Sequence, residues 1–225
     1  MWNGKTKAVT FSYDDGITQD RRLVEVFNKY GLKCTFNLNS GIQTGANRFT
    51  IEGVEISRMN MNGLRELYRG HEIACHTLTH PNLAEQDDET VYNEILRDKH
   101  NLESFFECEV KGLAYPYGAF DDRIVNIVAD CGIKYARTVW DNGSFALQDD
   151  LLRFRATCRH GADNVMQLAE DFLADNSGEP RLFYIWGHSY EFDVNNNWEL
   201  IEELCRKLSG RDDIFYGTNS EVFNI

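Results

Sequence analysis

Short apolar runs of strand length alternate along the chain with longer stretches whose apolar residues recur every three or four positions. The runs are "KAVTFSY" near residue 10, "KCTFNLN" near 35, "HEIACH" near 73, "VKGLAY" near 113, "KYARTV" near 136, "RLFYIWG" near 184 and "DIFYGT" near 215, with one further candidate in "LLRFRAT" near 154. Between them, Leu23, Val26, Phe27 and Tyr30 keep the i, i+3, i+4, i+7 spacing of an amphipathic helix and stop at Gly31. Ile124, Ile127, Val128 and Cys131 repeat it, with Asp121 as the N-cap and Gly132 as the stop, and so do Ile201, Leu204, Cys205 and Leu208. Val91 to Phe106 reads as one long helix. Strands alternating with helices predict an α/β protein of parallel βαβ units. Seven or eight such units either close into a TIM-type barrel or lie in an open doubly wound sheet. No linker, repeat or low-complexity stretch interrupts the pattern, so residues 1–225 read as one domain.

Composition narrows the classes of partner. Apolar residues make up 42% of the 225, enough for a sizeable core, and the formal net charge is -13. An acidic surface repels phosphate backbones, so nucleic acid is not the expected partner. No apolar run approaches the ~20 residues that span a bilayer, so no membrane partner is expected either. "MWNGKTKAVTF" shows no charged segment leading into an apolar stretch with a cleavage site, and a cytoplasmic protein is the expectation. The six cysteines are scattered singly, which suits reduced thiols filling the core.

Polar residues gather where the predicted strands end. Asp14 and Asp15 follow the first strand, His76 and His80 the third and "YPYG" (Tyr115 to Gly118) the fourth. Arg137 ends the fifth, and His188 in "WGHSYEFD" follows "RLFYIWG". Each is at a C-terminal end, and in a parallel barrel or sheet those ends share the face on which active sites are built. Two histidines four apart can grip one metal ion, but Thr77 stands where a zincin has its glutamate, and Pro81 argues for a turn rather than a long helix. Cys75 points to the other side of its strand from His76 and is not expected as a ligand. With a carboxylate pair on the same face, one aspartate can complete a two-histidine, one-carboxylate set while the other takes a proton from water. An Asx turn closed by Gly16 and capping the next helix would account for one aspartate but poorly for two. His188, across the barrel mouth, is placed to protonate a leaving group. Trp140, Trp186, Tyr117 and Tyr190 flank these ends and offer faces for sugar rings, with core packing as the default for each. His71, His100 and His160 carry no comparable context, although His160 falls near the same face.

"FSYDDG", "HTLTH", "YPYG" and "WGHSYEFD", in this order and spread over almost the whole chain, resemble the polysaccharide deacetylases of carbohydrate esterase family 4, the NodB homology domain. The resemblance implies a distorted (β/α) barrel of about seven parallel strands and metal-dependent removal of acetyl groups from an acetylated saccharide, N-acetyl ahead of O-acetyl. It implies Asp14 as the catalytic base and Asp15, His76 and His80 as ligands of one divalent ion, zinc first, with cobalt or another ion as alternatives. It further implies Pro116 and Tyr117 as the segment whose tyrosine N–H holds the oxyanion, and His188 as the general acid. Two departures stand out. The arginine usual two residues before the proline is Ala114 here, and Arg137 is the expected substitute. The leucine usual two residues before the acid histidine is Trp186, and Asp141, Asp193 and Glu191 all compete to orient that histidine. Two rival readings are a metal-independent amidohydrolase on the same fold and a non-catalytic carbohydrate-binding protein.

Overall fold

The computed structural model describes residues 1–225. Ten strands are present: β1 (Lys7–Asp14), β2 (Cys34–Leu38), β3 (Arg48–Ile51), β4 (Val54–Ser57), β5 (Glu72–Cys75), β6 (Gly112–Ala114), β7 (Tyr135–Arg137), β8 (Cys158–Arg159), β9 (Arg181–Gly187) and β10 (Ile214–Tyr216). The helices are α1 (Asp20–Lys29), α2 (Leu64–Leu67), α3 (Asp88–Phe106), α4 (Asp122–Asp130), α5 (Val165–Ala174), α6 (Glu191–Val194), α7 (Trp198–Leu208) and α8 (Asn219–Phe223). One parallel sheet runs β7-β6-β5-β2-β1-β9-β8, and β10 adds to β1. Its two ends approach across the stretch before β8. Phe154 N–H donates to the Ala136 carbonyl at 3.0 Å on one side, and Thr157 N–H donates to the Tyr184 carbonyl at 2.9 Å on the other. The curled sheet is the distorted barrel of about seven parallel strands expected from the motifs, and the open doubly wound sheet is set aside.

Alternation along the strands sorts two layers. Val9, Phe11 and Tyr13 of β1, Phe36 of β2, Cys75 of β5, Leu113 of β6 and Ile185 of β9 join the main core with the helices. Leu23 and Phe27 of α1, Ile124 and Val128 of α4, and Ile201, Leu204 and Leu208 of α7 supply the facing stripe. Asp121 caps α4 as predicted, its side chain accepting from Ile124 N–H at 2.8 Å. Residues of the opposite parity point into the barrel. At its lower end they make a small cluster that includes Ala8, Leu182 and Tyr184, and a polar network that meets α8. In that network Thr10 donates to Asn219 at 2.9 Å, Asn219 donates to Tyr184 at 2.7 Å, and Thr35 donates to Glu72 at 2.8 Å.

Two expectations change, and one element is new. "LLRFRAT" is not a strand over its length: Leu151–Arg153 is a 3₁₀ turn, Phe154 makes one bridge to Arg137, and pairing resumes only at β8. The antiparallel hairpin β3–β4 was not anticipated; its turn places Glu52 and Gly53 at positive φ, which suits the twist of a two-residue connection. Five cysteines are buried as expected, but Cys108 is exposed just beyond α3 and fills no core. No helix is long and apolar enough to cross a membrane.

Candidate active site

The inward parity that fills the barrel also builds its mouth. Asp14 ends the inward row of β1, Asn37 that of β2, Ala114 that of β6 and Arg137 that of β7, while His76 follows β5 and His188 follows β9 in the same phase. These residues meet at a cleft of about 500 Å³ that Asp14, Asp15, His76, His80, Tyr117 and His188 line, together with Phe49, Ile51 and Arg58 from the hairpin region.

Adjacent aspartates part company because Asp15 adopts φ 83, a left-handed conformation beyond the end of the strand. Gly16 follows at φ 62, packed so closely that a Cβ there would lie 2.3 Å from Gln43 Nε2. The positive φ favours glycine here, and any side chain would also have to displace Gln43 and Leu38. Neither aspartate caps α1, whose N-cap is Gln19, so the Asx-turn account of the pair fails.

Asp14 accepts from Arg137 Nη2 at 2.7 Å and from Asn37 Nδ2 at 2.8 Å. Burial alone would raise its pKa, but the Arg137 charge, with His76 and His188 near, outweighs burial and brings it down to about 2. Arg137 is buried beneath Trp186, whose ring centroid lies 4.4 Å from the guanidinium carbon. Trp186 in turn donates its Nε1–H to Asp141 at 2.7 Å. Trp186 lines the cleft but is itself only 6% exposed, so its main contact is with Arg137.

Ligand atoms of Asp15, His76 and His80 all lie within 4.8 Å of one another. His76 Nδ1 is 2.7 Å from the Ala114 carbonyl. A carbonyl only accepts, so Nδ1 carries the proton and Nε2 keeps a free lone pair. Burial depresses both imidazoles, His80 to about 4 with the help of neighbouring His76, while Asp15 stays ionised because surrounding positive charge outweighs its own burial. Two neutral imidazoles and one carboxylate are the donor states a divalent cation needs. One feature was not anticipated: Arg58 Nη2 lies 2.6 Å from Asp15 Oδ1.

Across the mouth, His188 Nε2 is 3.8 Å from Asp14 Oδ2, and its Nδ1 is 2.7 Å from Glu191 Oε1. Of the three acidic candidates, Glu191 is the one on this histidine. Asp141 accepts from Trp186 and from Arg159 N–H, while Asp193 accepts from Gln19 and Trp198. Glu191 also takes Arg159 Nε at 3.0 Å and His160 Nε2 at 3.2 Å. His160, set aside for want of context, is thus buried behind the site, stacked on Tyr13 and Phe192. Burial would lower His188, but the bond to Glu191 and the nearby aspartates raise it above the ordinary histidine value.

The Pro116–Gly118 turn holds Tyr117 at φ 58, and the turn's hydrogen bonds run from Gly118 N–H to Tyr115 and from Ala119 N–H to Pro116. Neither uses the Tyr117 N–H. The Tyr117 ring is 68% exposed at the cleft, 4.7 Å from the His80 ring centroid, whereas Pro116 is buried. Trp140 is 51% exposed but stands outside the cleft lining, against Phe120. His71 accepts from Cys34 N–H at 3.2 Å, away from the mouth, and His100 is exposed on α3.

Known structures share this architecture. The Streptococcus pyogenes deacetylase PplD, in complex with acetate, is 21% identical over 58% of this chain with a TM-score of 0.52. The family 4 carbohydrate esterase from Streptomyces lividans, in complex with acetate, is 15% identical, with a TM-score of 0.60 over 95% of this chain and 93% of its own. BA3943 from Bacillus anthracis, a CE4 family pseudoenzyme, is 15% identical with a TM-score of 0.61 over 97% of this chain and 66% of its own. At these identities the likeness is one of fold. The chain spans 55% of the length of the streptococcal deacetylase. Among curated proteins, none matches the sequence significantly. The family model for polysaccharide deacetylase matches residues 3–136, more than half of the chain, although His188 and Glu191 lie beyond that match. The chain belongs to the polysaccharide deacetylase family.

Proposed function

We propose that residues 1–225 form one catalytic domain that hydrolyses acetyl groups, N-acetyl ahead of O-acetyl, from a saccharide with the help of a divalent metal ion, zinc first. The observation that carries this reading is the division of the two aspartates: Asp15 converges with His76 and His80, while Asp14 turns to Arg137 and His188.

Asp15, His76 and His80 would hold the ion, which when bound supplies the Lewis acidity that lets a base as weak as Asp14 take a proton from water. Asp14 is held ionised and oriented by Arg137 and Asn37, ready to accept that proton as the water attacks the acetyl carbonyl. The Tyr117 N–H donates to the carbonyl oxygen as its charge develops. His188 Nε2 delivers a proton to the departing nitrogen or oxygen, and Glu191 on Nδ1 favours the protonated imidazole that this requires. The exposed Tyr117 ring, and Trp140 further out, offer flat faces to sugar rings.

The test is metal content after zinc loading, followed by acetate release from N-acetylated oligosaccharides with and without chelator. About one zinc per wild-type chain, none in His80→Ala, and chelator-sensitive acetate release are expected. Zinc-independent turnover would instead favour the amidohydrolase alternative.

A further inference from the structure

The reading of Asp15 as a ligand leaves Arg58 without a role. Arg58 follows β4 and is buried, with 7% of its surface exposed. Its Nη2 lies 2.6 Å from Asp15 Oδ1, and Oδ1 is the oxygen that also faces His80 Nε2, at 3.7 Å. A cation therefore already sits on the oxygen that points toward the histidines. Its other anchors are weak. Nη1 donates to Asn47 at 3.1 Å, Nε is buried without a partner, and the guanidinium carbon lies 5.3 Å from the Phe49 ring centroid. An arginine with an orphaned donor is held less firmly than one fully satisfied. Arg58 also borders the open cleft and has space to turn into.

We propose that Arg58 is an internal counter-cation that competes with the metal ion for Asp15. In the metal-free protein it neutralises a buried carboxylate whose isolation would be costly. On metal binding it gives up Oδ1 and turns toward the cleft, so part of the binding free energy is spent on breaking this pair. Arg58 thus sets metal affinity below what the three ligands would give alone, while keeping the empty site folded.

The inference rests on the assignment of Asp15, His76 and His80 as ligands, and the experiment separates the two. Zinc affinity is measured by competition with a chromophoric chelator, and the melting temperature of the metal-free protein is measured alongside, for wild type, Arg58→Met and Arg58→Lys. Arg58→Met is expected to bind zinc at least tenfold more tightly and, without metal, to melt at a lower temperature than wild type. Arg58→Lys, which keeps the charge, is expected to stay within about threefold of wild-type affinity, as a competing cation should. It also tests the idea if the methionine variant does not fold: Lys makes fewer hydrogen bonds than Arg, so any shift should be toward tighter binding. Equal or weaker zinc binding in Arg58→Met, or markedly weaker binding in Arg58→Lys, would overturn the proposal while leaving the ligand assignment intact. No zinc in any of the three proteins would overturn both.

Discussion

Ala114 and Arg137 are register partners on adjacent parallel strands, β6 and β7, both facing into the barrel. The cation that the family motif leads one to expect at position 114 is supplied one strand over, in the same layer. The exchange extends downward, because Gly112 partners Tyr135 in the same way. Small residues line the inner face of β6, and large ones from β7 cover them.

Arg137→Ala removes one member of a buried ion pair, leaving Asp14 uncompensated, and should cost about 3–5 kcal/mol in urea denaturation. Deacetylase activity should fall by about a hundredfold or more as Asp14, the base proposed above, loses its orientation. Adding Ala114→Arg to that variant returns a cation from the neighbouring strand and should recover part of both losses. Unchanged stability in the single variant would mean that the pair is not a structural contact.

Glu191→Gln tests the control of the acid histidine. His188 is raised chiefly by Glu191 and the aspartates against the pull of burial, and the acid role proposed for it requires the protonated form. Activity should therefore be retained below its raised pKa and lost as the pH climbs through it. Removing the Glu191 charge should shift the alkaline limb of the kcat profile to lower pH and lower kcat at neutral pH by about tenfold or more. A lower kcat with an unmoved alkaline limb would assign Glu191 a purely structural part.

Asp20 carries an opposite electrostatic burden from Asp14. It is buried, accepts from Tyr68 at 2.7 Å and from Ser189, and burial pushes its carboxyl from 3.8 up to about 7. A raised folded-state value means its contribution to stability is greatest below pH 4 and declines as pH rises toward 7. Asp20→Asn removes that decline, so its stability relative to wild type should improve by about 2 kcal/mol between pH 5 and pH 8. Parallel stability curves across that range would count against the assigned ionisation.

Gly112→Ala would place a Cβ 2.0 Å from Tyr135 Cζ, inside the barrel where nothing yields easily. Overpacking of this kind should cost about 1–3 kcal/mol, measurable as a lower urea midpoint. A neutral substitution would mean that the Tyr135 ring is freer than its burial suggests.

Much of this was legible because the strand and helix periods differ and because each motif ended a strand. Asp14, His76, Arg137 and His188 could be placed on one face from that alone. Less legible was anything that depends on what lies beside what. Arg58 sits in "VEISRMN" with no motif around it, and its contact with Asp15 depends on a hairpin whose alternation of Phe49, Ile51, Val54 and Ile56 around Glu52–Gly53 was present but unread. Glu191 could not be separated from Asp141 and Asp193 until the turn leading into α6 brought its carboxylate to 2.7 Å from His188 Nδ1. His160 could be placed near the same face but not given a role, because its partners come from β1 and α6, far away in sequence.

The arrangement around β1 bears on how the chain reaches this state. Along one edge β1 pairs with β9 over Lys7 to Tyr13, while its other edge is shared by β10 over Lys7–Val9 and β2 over Phe11–Asp14. Only the β2 contact is local; the others close loops of well over a hundred residues, the kind of topology that folds slowly. Until Arg181–Gly187 arrives, the strand that ends in Asp14 and leads into Asp15 presents a long apolar edge with unpaired amides, a template for pairing with another chain. A fragment ending near residue 136 would carry Asp15, His76 and His80 and still be prone to aggregate.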